Sequence, residues 1–226
     1  MSRSKPSVPV KPGAGPDRTG DASGRKDRGA DRRAERRDAI LQAALDEFSA
    51  KGFAAARLDD VASRAGVAKG TIYLYFQDKE TLFQELLRSM LSPVVAVIEA
   101  APLANLPVRA VAEMIAGVFV REIFGTRRAE VIKLILSEGP RFPQLAEFYY
   151  REVIARVLPP IRARLTRAAE NGELHSDALA RFPQLLVAPA LLALMWNALF
   201  QRFAPLDVKE LMDAHLDLLF GRKGGP

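Results

Sequence analysis

Residues 65–76 read AGVAKGTIYLYF. Two glycines, Gly66 and Gly70, precede five large apolar or aromatic residues in a row, Ile72 to Phe76. As a strand the run alternates cleanly, with Ile72, Leu74 and Phe76 on one face and Thr71, Tyr73 and Tyr75 on the other, and its β-propensity is high. No second strand-like run lies nearby, however, and a lone strand leaves its backbone N–H and C=O groups unpaired. As a helix, Ile72, Tyr75 and Phe76 fall within one arc, while Thr71, Tyr73 and Leu74 point elsewhere. The pattern therefore predicts a short helix starting near Lys69. Its inner arc feeds a core, and Tyr73 and Leu74 are left for solvent or a partner.

The residues upstream support this reading. In DAILQAALDEFSAKGF (38–53), Leu41, Ala44, Leu45 and Phe48 recur at i, i+3, i+4 and i+7, one apolar helical stripe. Gly52 stands where a left-handed residue would stop that helix, expected over about 31–50. Its first turns carry Arg32, Arg33, Arg36 and Arg37, which suit a solvated helix start and phosphate contact equally. In RLDDVASRAG (57–66), Asp59 and Asp60 occupy a first turn, where the helix dipole favours negative charge. Leu58, Val61, Ala62 and Ala65 form a short apolar face, and Gly66 ends a second helix expected over about 58–65. Helix, tight turn and helix make a helix-turn-helix, whose second helix enters a DNA major groove. Gly70, at the start of that helix, permits close backbone approach, and the positive end of the dipole would face a phosphate.

The run LDDVASRAGVAKGTIYLYFQDKETLF (58–83) resembles the DNA-binding signature of TetR-type transcriptional regulators, over roughly residues 36–84. The match comprises the phenylalanine after the first helix, Asp-hydrophobic-Ala in the second, Ala-Gly-Val in the turn, then Lys-Gly-Thr-hydrophobic-Tyr-x-Tyr-Phe and a lysine three residues on. The resemblance implies an all-α fold: an N-terminal three-helix helix-turn-helix domain over 31–80 and a larger helical effector-binding and dimerisation domain over 81–221. It implies that Ala68, Lys69, Gly70, Thr71 and Tyr73 approach bases and nearby phosphates. Tyr75 and Lys79 would face phosphates, and Phe53, Val61, Ala62, Ile72 and Phe76 would form the small core. Chemistry agrees in part: a lysine donates to guanine acceptors or phosphate, and Thr or Tyr contacts thymine methyls or phosphates. Arg57 departs from the pattern. A Thr or Ser expected there would cap the second helix, a cap whose loss costs about 1 kcal/mol, whereas arginine can still reach a phosphate. The stretch LSEGPRFPQLAEFYYREVI (136–154) also resembles the C-terminal domain of the AefR-like branch.

Composition excludes several classes. The 226-residue chain is 49% hydrophobic and 27% charged, as globular proteins are. It has no cysteine, hence no disulfide, thiolate metal site or cysteine nucleophile, and its two histidines, His175 and His215, lie far apart. No phosphate-cradling or dinucleotide glycine loop occurs. An enzyme, a bound metal and a cofactor are therefore not expected. The net charge of +6 is concentrated in residues 1–30, which hold seven Lys or Arg against three Asp, with four prolines and five glycines. That segment is expected to be a disordered basic tail, either drawn to DNA phosphates or merely solubilising. The N-terminus lacks an apolar signal segment. The most apolar stretch, Leu185 to Phe200, is too short for a confident span and contains Pro189 and Asn197. It reads as a buried helix of a cytoplasmic protein without a membrane partner.

From Lys79 onward the pattern is helical. Pro93 is expected to kink or break a helix that continues to about Ala101. Asn105 is expected to cap the next helix, with Pro107 in its first turn and Gly125 at its end, and Gly139-Pro140 should close the one after. Residues 142–174 read as one helix kinked at Pro159-Pro160, or as two. Residues 177–203 read as one long helix, apolar all round, which must be covered on every side. Asp207 should cap the last helix and Gly221 end it. The uncovered side and the family resemblance both point to a homodimer through about residues 177–220, suited to a palindromic DNA operator. The resemblance further implies a small-molecule effector that prefers the state released from DNA. Candidate lining residues are Phe119, Ile123, Leu134, Phe148, Tyr149, Met195 and Trp196. Glu113, Glu122 and Glu138 lie on apolar helices and suit a cation, so the effector is expected to be hydrophobic or cationic and amphipathic. The leading expectation is a dimeric repressor released by such a ligand. The alternative is a helical architectural or partner-controlled DNA-binding factor without a small-molecule effector.

Overall fold

The computed structural model describes residues 21–222, with side chains from Ala30 onward. Its contacts divide the chain into two units, Met1–Asp38 and Ala39–Pro226. In the first unit the described backbone is helical, and Arg32, Arg33 and Arg36 are exposed. Residues 1–20 of the expected tail lie outside the described residues. Residues 21–30, expected to belong to that tail, are helical instead. They contain no proline, and extending an existing helix adds one hydrogen bond per residue without a new nucleus.

Every described regular element is helical. Helix α1 spans Asp21–Ala55 and leaves helical geometry at Gly52, where φ is 75° and ψ 167°. This is a bend with extended ψ rather than the expected left-handed stop, and it turns Phe53 into the core. Helix α2 is Leu58–Arg64 and α3 is Lys69–Ile72. Helix α4, Lys79–Ala100, opens with Asp78 accepting the Thr81 N–H at 2.7 Å. That hydrogen bond holds the Asp78 carboxyl below its ordinary pKa.

Pro93 does not break α4. A proline inside a helix removes one hydrogen bond and crowds the carbonyl four residues back, a cost that a helix buried along Leu82, Leu86, Leu91, Val95 and Ile98 offsets by its packing. Among the described residues α4 is the helix long and apolar enough to cross a membrane. The buried stripe identifies it as a core helix.

Asn105 does not cap α5. It ends a 3₁₀ turn, and α5 runs Val108–Val118 with Pro107 at the N-cap. A π-helical turn, Phe119–Ile123, extends α5 to a bend at Gly125, and α6 follows at Arg128–Glu138. The next helical segment is continuous: α7 at Pro143–Tyr149, a second π turn at Tyr150–Ile154, and α8 at Ala155–Glu170 with Pro159 and Pro160 inside it. The long helix expected over 177–203 is in fact broken into α9 (Ala178–Arg181), a 3₁₀ turn at Pro183–Leu186, and α10 (Ala188–Phe200). Pro183 and Pro189 sit at helix starts, where their missing N–H is harmless. Helix α11, Val208–Phe220, is capped by Asp207, which accepts the Glu210 N–H at 2.9 Å, and ends at Gly221 with φ 80°.

The core of the second unit is continuous from the helix-turn-helix into the larger body. Phe48, Phe53 and Phe83 pack with ring centroids 5.6–5.7 Å apart, and Phe142, from the loop before α7, meets Phe53 at 5.0 Å. Arg127, ahead of α6, donates to Gln42 at 2.8 Å and to Asp46 on α1. The part of α1 that belongs to the second unit is therefore clasped directly to the body that carries α6.

Candidate functional site

The geometry of residues 65–76 follows from one glycine and two buried side chains. Gly66 has φ +67°, a conformation that glycine adopts freely and that most Cβ-bearing residues adopt only at a steric cost. Around it, Gly66 N–H reaches Ser63 O at 3.2 Å and Val67 N–H reaches Ala62 O at 3.0 Å. This is a Schellman stop, which satisfies the last carbonyls of α2 and reverses the chain. Ile72 and Phe76, four apart, are 0% and 1% exposed. Phe76 N–H bonds Ile72 O at 2.9 Å, so the run is helical rather than extended. Once those two residues are buried, the same arc forces Tyr73 (48% exposed) and Leu74 (77% exposed) outward. The regular helix is only four residues long and continues as turns, so its dipole is weaker than the sequence alone implied.

The outward surface consists of Ala68, Lys69, Gly70, Tyr73 and Leu74, all exposed, with Thr71 and Tyr75 half-buried at its edges. A Cβ on Gly70 would meet no atom within 4 Å, and its φ is ordinary. Nothing inside this chain requires a glycine at that position. Lys69 Nζ lies 2.6 Å from Asp59 Oδ2 of α2, which raises the lysine pKa. Asp59 was read from the sequence only as a helix-start charge. Its pairing with Lys69 across the turn had no signal in the local pattern. Leu74 was expected to be exposed but was not singled out for contact. Arg57 is exposed at the α2 N-cap in extended geometry and makes no capping hydrogen bond.

Lys79, for which the resemblance implied a phosphate contact, also makes contacts within the chain. Its ammonium donates to Ala54 O at 2.9 Å and sits 4.7 Å from the Phe53 ring centroid. Burial lowers its pKa. It ties the end of α1 to the start of α4. Lys79→Met is therefore expected to lower unfolding stability by about 1–2 kcal/mol, the sum of a charge-assisted hydrogen bond and a partly exposed cation–π contact. The salt dependence of DNA binding should stay unchanged. A salt slope reduced by about one, measured beside denaturant unfolding, would restore Lys79 as a phosphate contact.

A second arrangement holds the reading helices together. Glu47 on α1 is 1% exposed. Its carboxylate meets Lys51 at 2.5 Å and Arg64 of α2 at 3.2 Å, and Lys51 also meets Asp60 at 2.9 Å. Sequence reasoning missed Glu47, although its spacing of four from Lys51 was available.

The larger body encloses an apolar cavity of about 180 Å³. It is walled by α4, α5, both π turns, α8 and residues 183–191, and no charged side chain lines it. Of the candidate ligand residues, Phe119, Ile123 and Tyr149 line it, whereas Leu134, Phe148, Met195 and Trp196 do not. Phe148 is packed in the core. Trp196 donates its indole N–H to Ala204 O at 2.6 Å. Leu134 and Met195 border a separate open groove between α6 and α10. Tyr149 has its hydroxyl pKa raised by burial. None of the glutamates expected to hold a cation lines the cavity: Glu113 pairs with Arg109 at 2.9 Å and Glu122 with Arg128 at 3.2 Å, while Glu138 lies beside Gly52 with Oε2 buried and without a hydrogen-bond partner among the described residues.

A Schellman-linked pair of short helices, braced against a longer first helix and carried on an all-helical body with an apolar cavity, defines a helix-turn-helix protein of the two-part regulator type. The model of the tetR family of bacterial regulatory proteins matches residues 40–86, and that of the AefR-like transcriptional repressor C-terminal domain matches residues 110–217. The chain belongs to the TetR family. The HTH-type transcriptional regulator RutR of Escherichia coli (strain K12) is 37% identical over 122 residues, covering 53% of this chain and 49% of RutR. The chain thus spans about half the length of that curated relative. Solved structures share the fold. A TetR-family regulator from Mesorhizobium loti MAFF303099 is 24% identical with a TM-score of 0.58, covering 82% of this chain and 95% of that one. FadR from Bacillus subtilis, in complex with stearoyl-CoA, is 19% identical with a TM-score of 0.57, covering 82% of this chain and 98% of its own.

Proposed function

We propose that this chain is a dimeric transcriptional repressor that reads a palindromic operator with α3 and releases it when a small molecule occupies the cavity. The observation that carries the DNA reading is the outer arc of α3. Gly70 has open space where a side chain would stand, between an outward lysine and an outward tyrosine. That surface suits the edge of a base pair. Lys69 donates to guanine or phosphate, Tyr73 and Thr71 reach phosphate or a thymine methyl, and Leu74 supplies an apolar contact to such a methyl. Arg57 and the N-terminal side of Ala68 flank the backbone. The Lys69–Asp59 pair is exposed, so exchanging it for a DNA acceptor costs little.

Dimerisation is supported by α10 and α11. Leu192, Met195, Leu199 and Phe200 on α10 and Leu218 on α11 are 42–85% exposed, a concentration of large apolar side chains that single-chain folding leaves uncovered. The cavity supports a ligand-responsive regulator over an architectural factor, and the fold neighbour with a bound acyl-CoA shows that another protein of this fold holds a ligand. A DNA-reading role places the protein in the cytoplasm.

The test is binding of the purified protein to DNA upstream of its own gene, against random DNA, across a salt series. Specific DNA should bind with a steep salt slope. Lys69→Ala should lower specific affinity about tenfold, the value of one good base or phosphate contact. Equal affinity for both DNAs at every salt concentration would replace sequence reading with charge-driven binding.

A further inference from the structure

The cavity shares a wall with the outside. Ile154, the last residue of the second π turn, and Leu158 of α8 line the inner cavity and also line a surface groove of about 730 Å³ along the outer flank of the same helix. The groove floor continues through Tyr150 and Pro159, and its far end carries Arg162, Thr166 and Arg167. Neither Arg162 nor Arg167 has an ion-pair or hydrogen-bond partner for its guanidinium among the described residues. Most other arginines of this unit are paired: Arg88 with Glu152, Arg109 with Asp217, Arg128 with Glu122 and Arg156 with Glu99. Two unpaired guanidinium groups beside an apolar floor form an anion-receptive end of an otherwise greasy groove.

Three further observations fix what the pair of compartments can hold. The inner cavity, about 180 Å³, is smaller than the roughly 300–1,000 Å³ of pockets that enclose a whole drug-sized ligand. Its lining has no charged group, so a charge cannot be taken inside without a prohibitive desolvation cost. Ile154 and Leu158, one turn apart at the edge of this helix, form the rim that the two compartments share, and both are only half-buried. Their side chains can turn aside and join the compartments across that edge without breaking a backbone hydrogen bond.

Resting on the effector reading of the cavity, we infer that the ligand is an anionic amphiphile: a slim alkyl or acyl chain inside the cavity, passing between Ile154 and Leu158, with a carboxylate or phosphate head on Arg162 and Arg167. This replaces the cationic amphiphile expected from the sequence, because the glutamates that suggested it do not line the cavity.

The test uses the full chain and four ten-carbon probes: decanoate, decyl phosphate, decanol and decyltrimethylammonium, each followed by calorimetric titration below its micellar concentration. Decanoate and decyl phosphate should bind at least about tenfold more tightly than decanol, and the cation should bind most weakly. Which of the two anions binds better distinguishes a carboxylate head from a phosphate head. In Arg162→Gln/Arg167→Gln the two anions should fall to the affinity of decanol, while decanol itself is unchanged. Equal binding of all four probes, or anion binding untouched by the double substitution, overturns the head-group assignment while leaving the cavity as a ligand site. No binding by any probe, or probe binding that is unchanged when Val118→Trp fills the cavity, overturns the effector reading itself. A change in oligomeric state of the double variant, measured by sedimentation, would instead make the groove a surface between copies.

Discussion

Replacing Gly70 with glutamine is expected to reduce specific operator affinity by a factor of about 100 or more while leaving the fold intact or slightly more stable. The two halves of that expectation come from one fact: a Cβ at this position meets nothing within 4 Å. Glycine in a helix is normally a cost of about 0.5–1 kcal/mol relative to alanine, so a stability-driven sequence would not keep one where its φ is ordinary and the surroundings are empty. On the proposed reading of α3, the side chain is missing because DNA comes close. A groove-bound helix brings its backbone within van der Waals distance of base edges and sugar-phosphate, and a glutamine there both fills that space and separates Lys69 and Tyr73 from their acceptors. Thermal unfolding and operator titration on the same preparation decide the matter. Full affinity in Gly70→Gln would mean that α3 does not enter the groove along this arc, and the reading surface would have to be sought elsewhere. A large loss of stability would mean instead that the glycine serves the fold, which the open space around it contradicts.

The same stretch shows what a sequence can and cannot reveal. Ile72 and Phe76, four apart, share a face in a strand as in a helix, so the choice of helix rested on the lack of a second strand-like run to pair the backbone. Tyr73 and Leu74 then had to face outward. The contacts that depend on distant chain were not legible. Asp59 reaches Lys69 only because the Schellman turn folds α2 back over α3, and Lys79 turns inward only because Phe53 and the Ala54 carbonyl, at the end of α1, lie in its reach. The prolines divide in the same way. Pro183 and Pro189 stand at helix starts, whereas Pro93, Pro159 and Pro160 lie inside helices. Candidate ligand residues were chosen as aromatic or apolar positions on middle helices. Three of the seven line the cavity, because periodicity reports that a residue faces inward but not which interior space it meets.

Leu192→Glu is expected to convert the dimer into a monomer and to lower operator affinity by about 10²–10⁴, the range by which joining two reading heads exceeds one. Leu192 is 53% exposed at the surface of α10, beside Met195 and Leu199 and near Leu218 of α11, which is 85% exposed. The buried side of α10, through Ala190, Ala193 and Leu194, is untouched by the substitution, so the single chain keeps its core and gains a solvated charge. In a dimer the same glutamate would sit in an apolar four-helix contact, and a buried carboxylate without a partner opposes association by several kcal/mol. Because a symmetric contact places residue 192 near its own copy or a neighbouring apolar face, the cost is felt twice per dimer. Sedimentation equilibrium should give a monomer whose unfolding is close to that of the wild-type chain measured below its dissociation concentration. Operator binding should become weak and lose its requirement for two half-sites. A variant that remains a dimer with full operator affinity would move the interface off α10, and Leu218→Glu on α11 would then be the informative comparison. If that too leaves the dimer intact, the apolar surface of both helices must be covered by something other than a second copy of this chain.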